Sequence, residues 1–185
     1  MQVKGTMLIQ MVKVIRSNKD KNWDKWLKSE DWEIINSRIL PSQWYPYVSF
    51  ERIGLAVFKE MAQSNLDNVI SFGRLLANGM EDIYANVFVE GDPVTSIEKF
   101  SIIRKTFMKD VEGGTQITDH GPDWLKYKLA ILSQVDVEID VEAAEVFAYM
   151  MAGTLEGIVE QAGGKNISVT VEKVEDGYDY DVKWE

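Results

Sequence analysis

Asp140-Val-Glu-Ala-Ala-Glu-Val-Phe-Ala-Tyr-Met-Met-Ala-Gly-Thr-Leu-Glu-Gly-Ile-Val-Glu-Gln-Ala162, followed by Gly163-Gly164, is the stretch whose reading decides the fold. At about 100° per residue, Glu142, Glu145, Glu156 and Glu160 fall on one narrow face. Ala144, Phe147, Met151, Leu155, Ile158 and Ala162 fall on the opposite face. The spacing predicts a long helix with a solvated glutamate face. Asp140 is placed to accept the first free amide hydrogens, and Glu142 and Glu145 suit the positive helix start. Gly163 and Gly164 can take positive φ and stop the helix. Gly153 and Gly157 lie one turn apart, each costing about 1 kcal/mol relative to alanine. Something must therefore approach that turn closely, a strand, another helix or a ligand, and packing is the simplest choice.

Downstream, Ile167, Val169 and Val171 alternate with Ser168, Thr170 and Glu172, and Tyr178, Tyr180, Val182 and Trp184 alternate with Asp179, Asp181 and Lys183. Asp176-Gly177 between them predicts a hairpin turn. Upstream, Leu125, Tyr127, Leu129 and Ile131 alternate with Lys126, Lys128, Ala130 and Leu132. Val135, Val137 and Ile139 alternate likewise, giving two strands or one bent strand. A hairpin alone is marginal in water, so its apolar faces need the long helix to pack on.

The first part of the chain reads at helical period. Helices are expected over Val3–Arg16, Asn22–Ser29, a turn around Trp32, Ser49 to about Gln63, Leu66–Ala77, and from Thr95 onward. Asn78-Gly79 reads as a break before a further short helix. Pro41-Ser-Gln-Trp-Tyr-Pro46 reads as an aromatic loop and Glu112 to Pro122 as a glycine-rich loop. The expectation is one α+β domain over 1–185: a helical part, 1–111, then a small antiparallel sheet packed against one long helix, 123–185.

Composition narrows function by exclusion. The 185 residues include no cysteine and one histidine, and the formal net charge is -10, with pI near 4.7. Disulfides, thiol chemistry and most histidine metal sites are excluded. An acidic chain without a basic face does not suit nucleic acid. No run of about 18 apolar residues is present, so no membrane span is expected. The opening lacks a signal peptide's apolar run, and the default is a soluble cytoplasmic protein. No Ser-His-Asp set, phosphate-binding loop or dinucleotide fingerprint is present. Nothing argues for an enzyme.

His120, in Thr118-Asp-His-Gly-Pro-Asp123, reads as a solvated loop histidine, with metal or heme ligation as the alternative. Asp119 and Asp123 beside it make a poor metal site, and none is expected. Trp23, Trp26, Trp32, Trp44, Tyr45 and Tyr47 read first as packing anchors and second as the lining of an apolar pocket. The methionines fit either reading.

Val3-Lys-Gly-Thr-Met-Leu-Ile-Gln-Met-Val-Lys13 is similar to the opening of heme-nitric oxide/oxygen binding (H-NOX) domains, and Tyr149-Met-Met-Ala-Gly-Thr-Leu-Glu-Gly157 resembles their late helix. The element order matches along nearly the whole chain. The resemblance implies the H-NOX scaffold and a sensory role exercised through protein contact. The related vinyl-reductase-type domains and TRAPP vesicle-tethering subunits imply an apolar or acyl ligand. The departures concern heme. The family's proximal histidine lies on the helix before the glycine-rich loop, where Ser96–Val111 has none and Phe107 and Met108 stand instead. The family's Tyr-x-Ser-x-Arg, which holds the heme propionates, should precede the late helix, where Val137-Glu-Ile-Asp-Val-Glu-Ala is found. Its nearest match, Tyr47-Val-Ser49-Phe-Glu-Arg52, is one residue too long and far upstream.

The expectation is a heme-free H-NOX-like sensory or regulatory module with a protein partner or a homodimer. An apolar small molecule in the former heme cavity is the alternative, lined by Met7, Met11, Trp44, Phe72, Phe107, Met108, Phe147 and Met151. An atypical heme sensor using His120 is the second alternative. The acidic face of the late helix and the loop Trp44–Tyr47 are the expected contact surfaces.

Overall fold

The structure, a computed structural model, describes residues 1–109, 114–130 and 141–185, apart from the side chains of 81–83. The elements run β1 (Gln2–Lys4), α1 (Gly5–Ser17), α2 (Ser29–Asn36), β2 (Trp44–Pro46), α3 (Tyr47–Glu60), α4 (Leu66–Tyr84), α5 (Pro93–Arg104), β3 (Met108–Lys109), β4 (Thr115–His120), β5 (Trp124–Ala130), α6 (Val141–Gln161), β6 (Ser168–Val174) and β7 (Gly177–Lys183). The strands form two antiparallel sheets, ordered β2-β1-β3 and β4-β5-β7-β6. The architecture is α+β, as the change of period after Trp124 predicts.

The C-terminal sheet follows its alternation. Leu125, Tyr127 and Leu129 on β5 and Tyr178, Tyr180 and Val182 on β7 are buried, in register as Leu125 with Val182, Tyr127 with Tyr180 and Leu129 with Tyr178. These faces pack with Ala148, Met151, Ala152, Leu155 and Ile158 of α6. Tyr180 Oη donates to the Ala148 carbonyl at 3.0 Å, tying sheet to helix. The hairpin turns at Glu175 and Asp176, one residue earlier than expected. Gly177 already pairs with Val174, and its φ of 151° is one a side chain rarely adopts.

Several expected elements differ. The long helix is not half-solvated: residues 151–159 are all buried. Glu156 is buried and meets Arg74 of α4 at 2.5 Å, Glu142 is half-buried and pairs with Lys59, and only Glu160 of the four glutamates is fully exposed. α4 runs on through Asn78-Gly79, because Ala77 is seated against Gly157 of α6. That packing offsets the glycine's intrinsic cost of about 1 kcal/mol. Leu75 on the same helix is exposed. Thr115–His120 is a strand rather than a loop. It is the outer strand of its sheet and carries one aliphatic side chain, Ile117, so alternation gives no signal.

Near the start, β1 pairs with β2 and β3 in registers of Val3 with Tyr45 and Val3 with Met108. These strands are too short for periodicity to reveal. The expected helix over Asn22–Ser29 reduces to a 3₁₀ turn, Trp23–Lys25. α3 begins at Tyr47 rather than at Ser49, which is buried within it. α5 begins at Pro93, capped by the Asp92 carboxylate on the Thr95 amide at 3.0 Å, and ends at Arg104. The expected strand Val135–Ile139, the Asp140 cap and the helix end at Val111 lie outside the described residues.

Candidate functional site

Two adjoining cavities lie among the helices. The larger, about 260 Å³, sits between α1, α3, α4 and α6, with Met11, Val14, Phe50, Phe58, Phe72 and Phe147 in its wall. The smaller, about 110 Å³, is bounded by Met7, Tyr84, Phe100, Arg104, Phe107 and Met151, among others. Gln10, Leu76, Phe147 and Met150 line both. An apolar cavity of about 150 Å³ suffices for a benzene ring, so the larger one has room for a small apolar molecule.

α6 and α1 bring these walls together. α6 points Phe147 and Met150 between the cavities, and Phe147 meets the Phe50 ring edge-on at 6.2 Å. α1 opens at Gly5 because the Leu40 backbone and the Ile39 side chain lie against it. A Cβ there would stand 2.2 Å from the Leu40 carbonyl oxygen. Thr6 Oγ1 donates to the Pro41 carbonyl at 3.1 Å. Together these contacts set Met7 and Gln10 at the smaller cavity.

Of the residues expected to line a pocket, Met11, Phe72 and Phe147 border the larger cavity, and Met7, Phe107, Phe147 and Met151 the smaller. Trp44 and Met108 border neither. Trp44 lies under the Lys4 ammonium, 5.5 Å from its ring centre. Met108 pairs with Val3 on β3. His120 is exposed at the end of β4, opposite Leu125, and lines neither cavity. Among the described residues no cluster of three or more His, Cys, Asp or Glu could hold a metal ion.

The tryptophans are anchors. Trp23 Nε1 donates to the Asn18 carbonyl at 2.7 Å, Trp26 to Glu60 at 2.8 Å and Trp32 to Asp24 at 2.9 Å. Tyr45 is buried and Trp44 and Tyr47 are half-buried, so Trp44–Tyr47 is not an exposed aromatic loop. Tyr47 faces the larger cavity, where burial and the Glu51 carboxylate push its phenol up. Arg52 donates from Nε to Asp31 at 2.7 Å and from Nη2 to Glu30 at 2.8 Å. Burial raises the Asp31 carboxyl. Hydrogen bonds from Arg52, the Lys28 amide and Ser49 outweigh it and hold the group below its usual range.

Periodicity gave no warning of Arg104. It ends α5, is 9% exposed and lines the smaller cavity. The Phe147 ring lies 5.5 Å from its guanidinium carbon. Desolvation holds its pKa down, and the nearby phenols of Tyr127, Tyr180 and Tyr47 act against that. The only signal was a basic residue within a helix otherwise read for its apolar positions.

No protein-family profile and no curated protein matches the sequence. Solved structures do match. An Fe(II) unliganded H-NOX protein from K. algicida superposes with a TM-score of 0.69 at 10% identity, over 98% of this chain and 96% of that one. A point mutant of T. tengcongensis H-NOX gives 0.63 at 15%, over 98% and 97%. A Cs H-NOX mutant gives 0.66 at 17%, over 98% and 96%. The chain has an H-NOX-like fold, as its ends imply.

Proposed function

We propose that this protein is a heme-free sensory or regulatory module on the H-NOX scaffold. It takes an apolar small molecule or acyl chain in its helical cavities and acts through contact with a protein partner or a second copy of itself. The observation that carries this is the lining of the two cavities, which is largely apolar and contains no histidine or cysteine.

Heme iron takes an axial ligand, most often His, Cys, Tyr or Met. Met7, Met80, Met150, Met151 and Tyr84 border the smaller cavity, but at about 110 Å³ the space there is slight. Drug-sized ligands already take about 300–1,000 Å³, and a porphyrin is no smaller. Arg52, in the nearest match to the propionate-binding motif, is committed to Asp31 and Glu30. The slight space and the commitment of Arg52 support the heme-free reading and favour a smaller apolar occupant. Among the described residues no helix is long and apolar enough to cross a membrane.

The test is an absorption spectrum and a native mass spectrum of protein expressed with added hemin. The expected result is no Soret band after gel filtration and a mass that includes a retained apolar molecule or a site that a neutral fluorophore such as N-phenyl-1-naphthylamine fills. A Soret band that survives gel filtration and disappears in His120→Ala would restore a heme-based reading.

A further inference from the structure

We infer that the smaller cavity takes an apolar molecule ending in one carboxylate, and that Arg104 is the residue that recognises it. The inference rests on reading the cavities as a ligand site and goes on to name the class of ligand.

Arg104 is buried, and burying a guanidinium is costly unless its charge and its N–H groups are met. Here they are met in part. The Phe147 ring covers the face of the cation at 5.5 Å. Nη2 lies 4.0 Å from the Met108 sulfur, a weak acceptor. Nε has no hydrogen-bond partner among the described residues. Among the described residues, the ionisable groups that act on it are the phenols of Tyr127, Tyr180 and Tyr47. Tyr127 is engaged with Ser101 at 3.1 Å and Tyr180 with the Ala148 carbonyl at 3.0 Å. Among the described residues no carboxylate forms an ion pair with Arg104. The ion pairs described, of Arg52, Lys59, Arg74 and Lys128, all lie elsewhere.

The wall of the cavity sets the ligand's charge. Among the described residues of that lining, Arg104 is the one with a formal charge at neutral pH. One guanidinium balances one negative charge, and its planar fork matches the two oxygens of a carboxylate. A phosphate monoester carries nearly two charges and would leave one uncompensated among Met7, Met80, Phe100, Phe107 and Met151. The larger cavity sets the rest of the molecule. It shares Gln10, Leu76, Phe147 and Met150 with the smaller, so an alkyl chain whose head is held at Arg104 has about 260 Å³ of largely apolar space ahead of it, with Lys13 and Glu51 also in its wall.

The test is calorimetric titration of the full chain with decanoate, decanol and decyl phosphate. Decanoate should bind about ten- to a hundredfold more tightly than decanol, the range of a hydrogen bond to a charged group, and more tightly than decyl phosphate. Arg104→Met keeps an unbranched stem that fills part of the same space and removes the charge. It should bind decanoate and decanol alike and melt no lower than wild type, because it replaces an unpaired buried ion. Equal binding of decanoate and decanol by wild type overturns the carboxylate assignment and leaves an apolar site standing. Preference for decyl phosphate overturns it too. Binding of none of the three overturns both this inference and the reading beneath it. Should Arg104→Met melt well below wild type while keeping the decanoate preference, Arg104 is structural and the inference fails. Should the variant not fold, the wild-type comparison decides alone.

Discussion

Asp31 has no exposed surface and still carries a charge, because Arg52 reaches across from α3 to meet both its oxygens. Its Oδ2 also accepts the Lys28 amide at 2.9 Å, closing the first turn of α2. Asp31→Asn should therefore loosen α2 from α3. Losing one partner of a buried pair costs about 3–5 kcal/mol. Here Glu30 remains to Arg52, whose side chain is 18% exposed, so the loss should fall below that range. Chemical denaturation of the variant reads it, and an unchanged midpoint would show that the pair is not holding the helices. The same carboxyl predicts an acid limb. A group whose folded pKa is depressed contributes stability that is complete above its unfolded value of about 3.9 and lost as pH falls through the folded value. Stability should fall below about pH 4, and less steeply in Asp31→Asn. The sequence showed Tyr47, Ser49 and Arg52 only as a near match to a ligand motif. Their structural role was hidden because Asp31 lies 21 residues from Arg52 along the chain and pairs with it only in the fold.

At the scale of elements, the crossing of α4 and α6 organises the chain, and three glycines allow it. A Cβ on Gly153 would stand 1.9 Å from the Ile70 carbonyl oxygen, one on Gly73 2.0 Å from that of Met150, and one on Gly157 2.6 Å from the Ala77 Cβ. Two of these clashes are with backbone, so they cannot be relieved by a rotamer change. Gly153→Ala should cost at least the upper part of the ~1–3 kcal/mol typical of overpacking, although alanine is the better helix former. A melting temperature equal to or above wild type would mean the helices are not this close. Met151→Asp, on the same helix, places an unpaired carboxylate among Leu155, Tyr127 and Tyr180. Melting within a degree or two of wild type would remove that face from the core. The sequence showed α6 and the two glycines, and that something approaches them. It did not show that the partner is α4, since Asn78-Gly79 reads as a stop when tertiary packing is unknown. It missed β1, β2 and β3 because two or three residues carry no period. The motifs that carry the H-NOX likeness, Lys4-Gly5-Thr6 and Gly153 to Gly157, are close-packing sites in this chain. They therefore speak for the scaffold and not for its cofactor.

Across the whole molecule, Phe147 joins two hydrophobic clusters. It packs against the one built on Leu8, Ile15, Phe50 and Ile53 and against the one built on Leu125, Tyr127, Leu155 and Tyr180. It also stands between the two cavities, with Phe50 on one side and the Arg104 cation on the other. This dual position was legible only in part: helical spacing placed Phe147 inward with Met151, and nothing local placed Arg104 against it. Phe147→Ala would remove the partition and a core contact together. Phe→Ala in a core costs about 3–5 kcal/mol, and a half-buried ring should fall at the lower end. The enlarged, continuous cavity should then take an apolar molecule more readily. A ligand at about a hundred times its dissociation constant contributes about 2.7 kcal/mol to the state that binds it. Decanol should therefore raise the melting temperature of Phe147→Ala by more than it raises that of wild type, narrowing the gap between them. If the variant is destabilised and decanol shifts both proteins equally, the ring is core alone and does not divide a ligand space. A larger shift would identify Phe147 as the contact through which occupancy of the cavities is felt by both halves of the fold. Among the described residues, no other borders both cavities and packs against both clusters while touching Arg104.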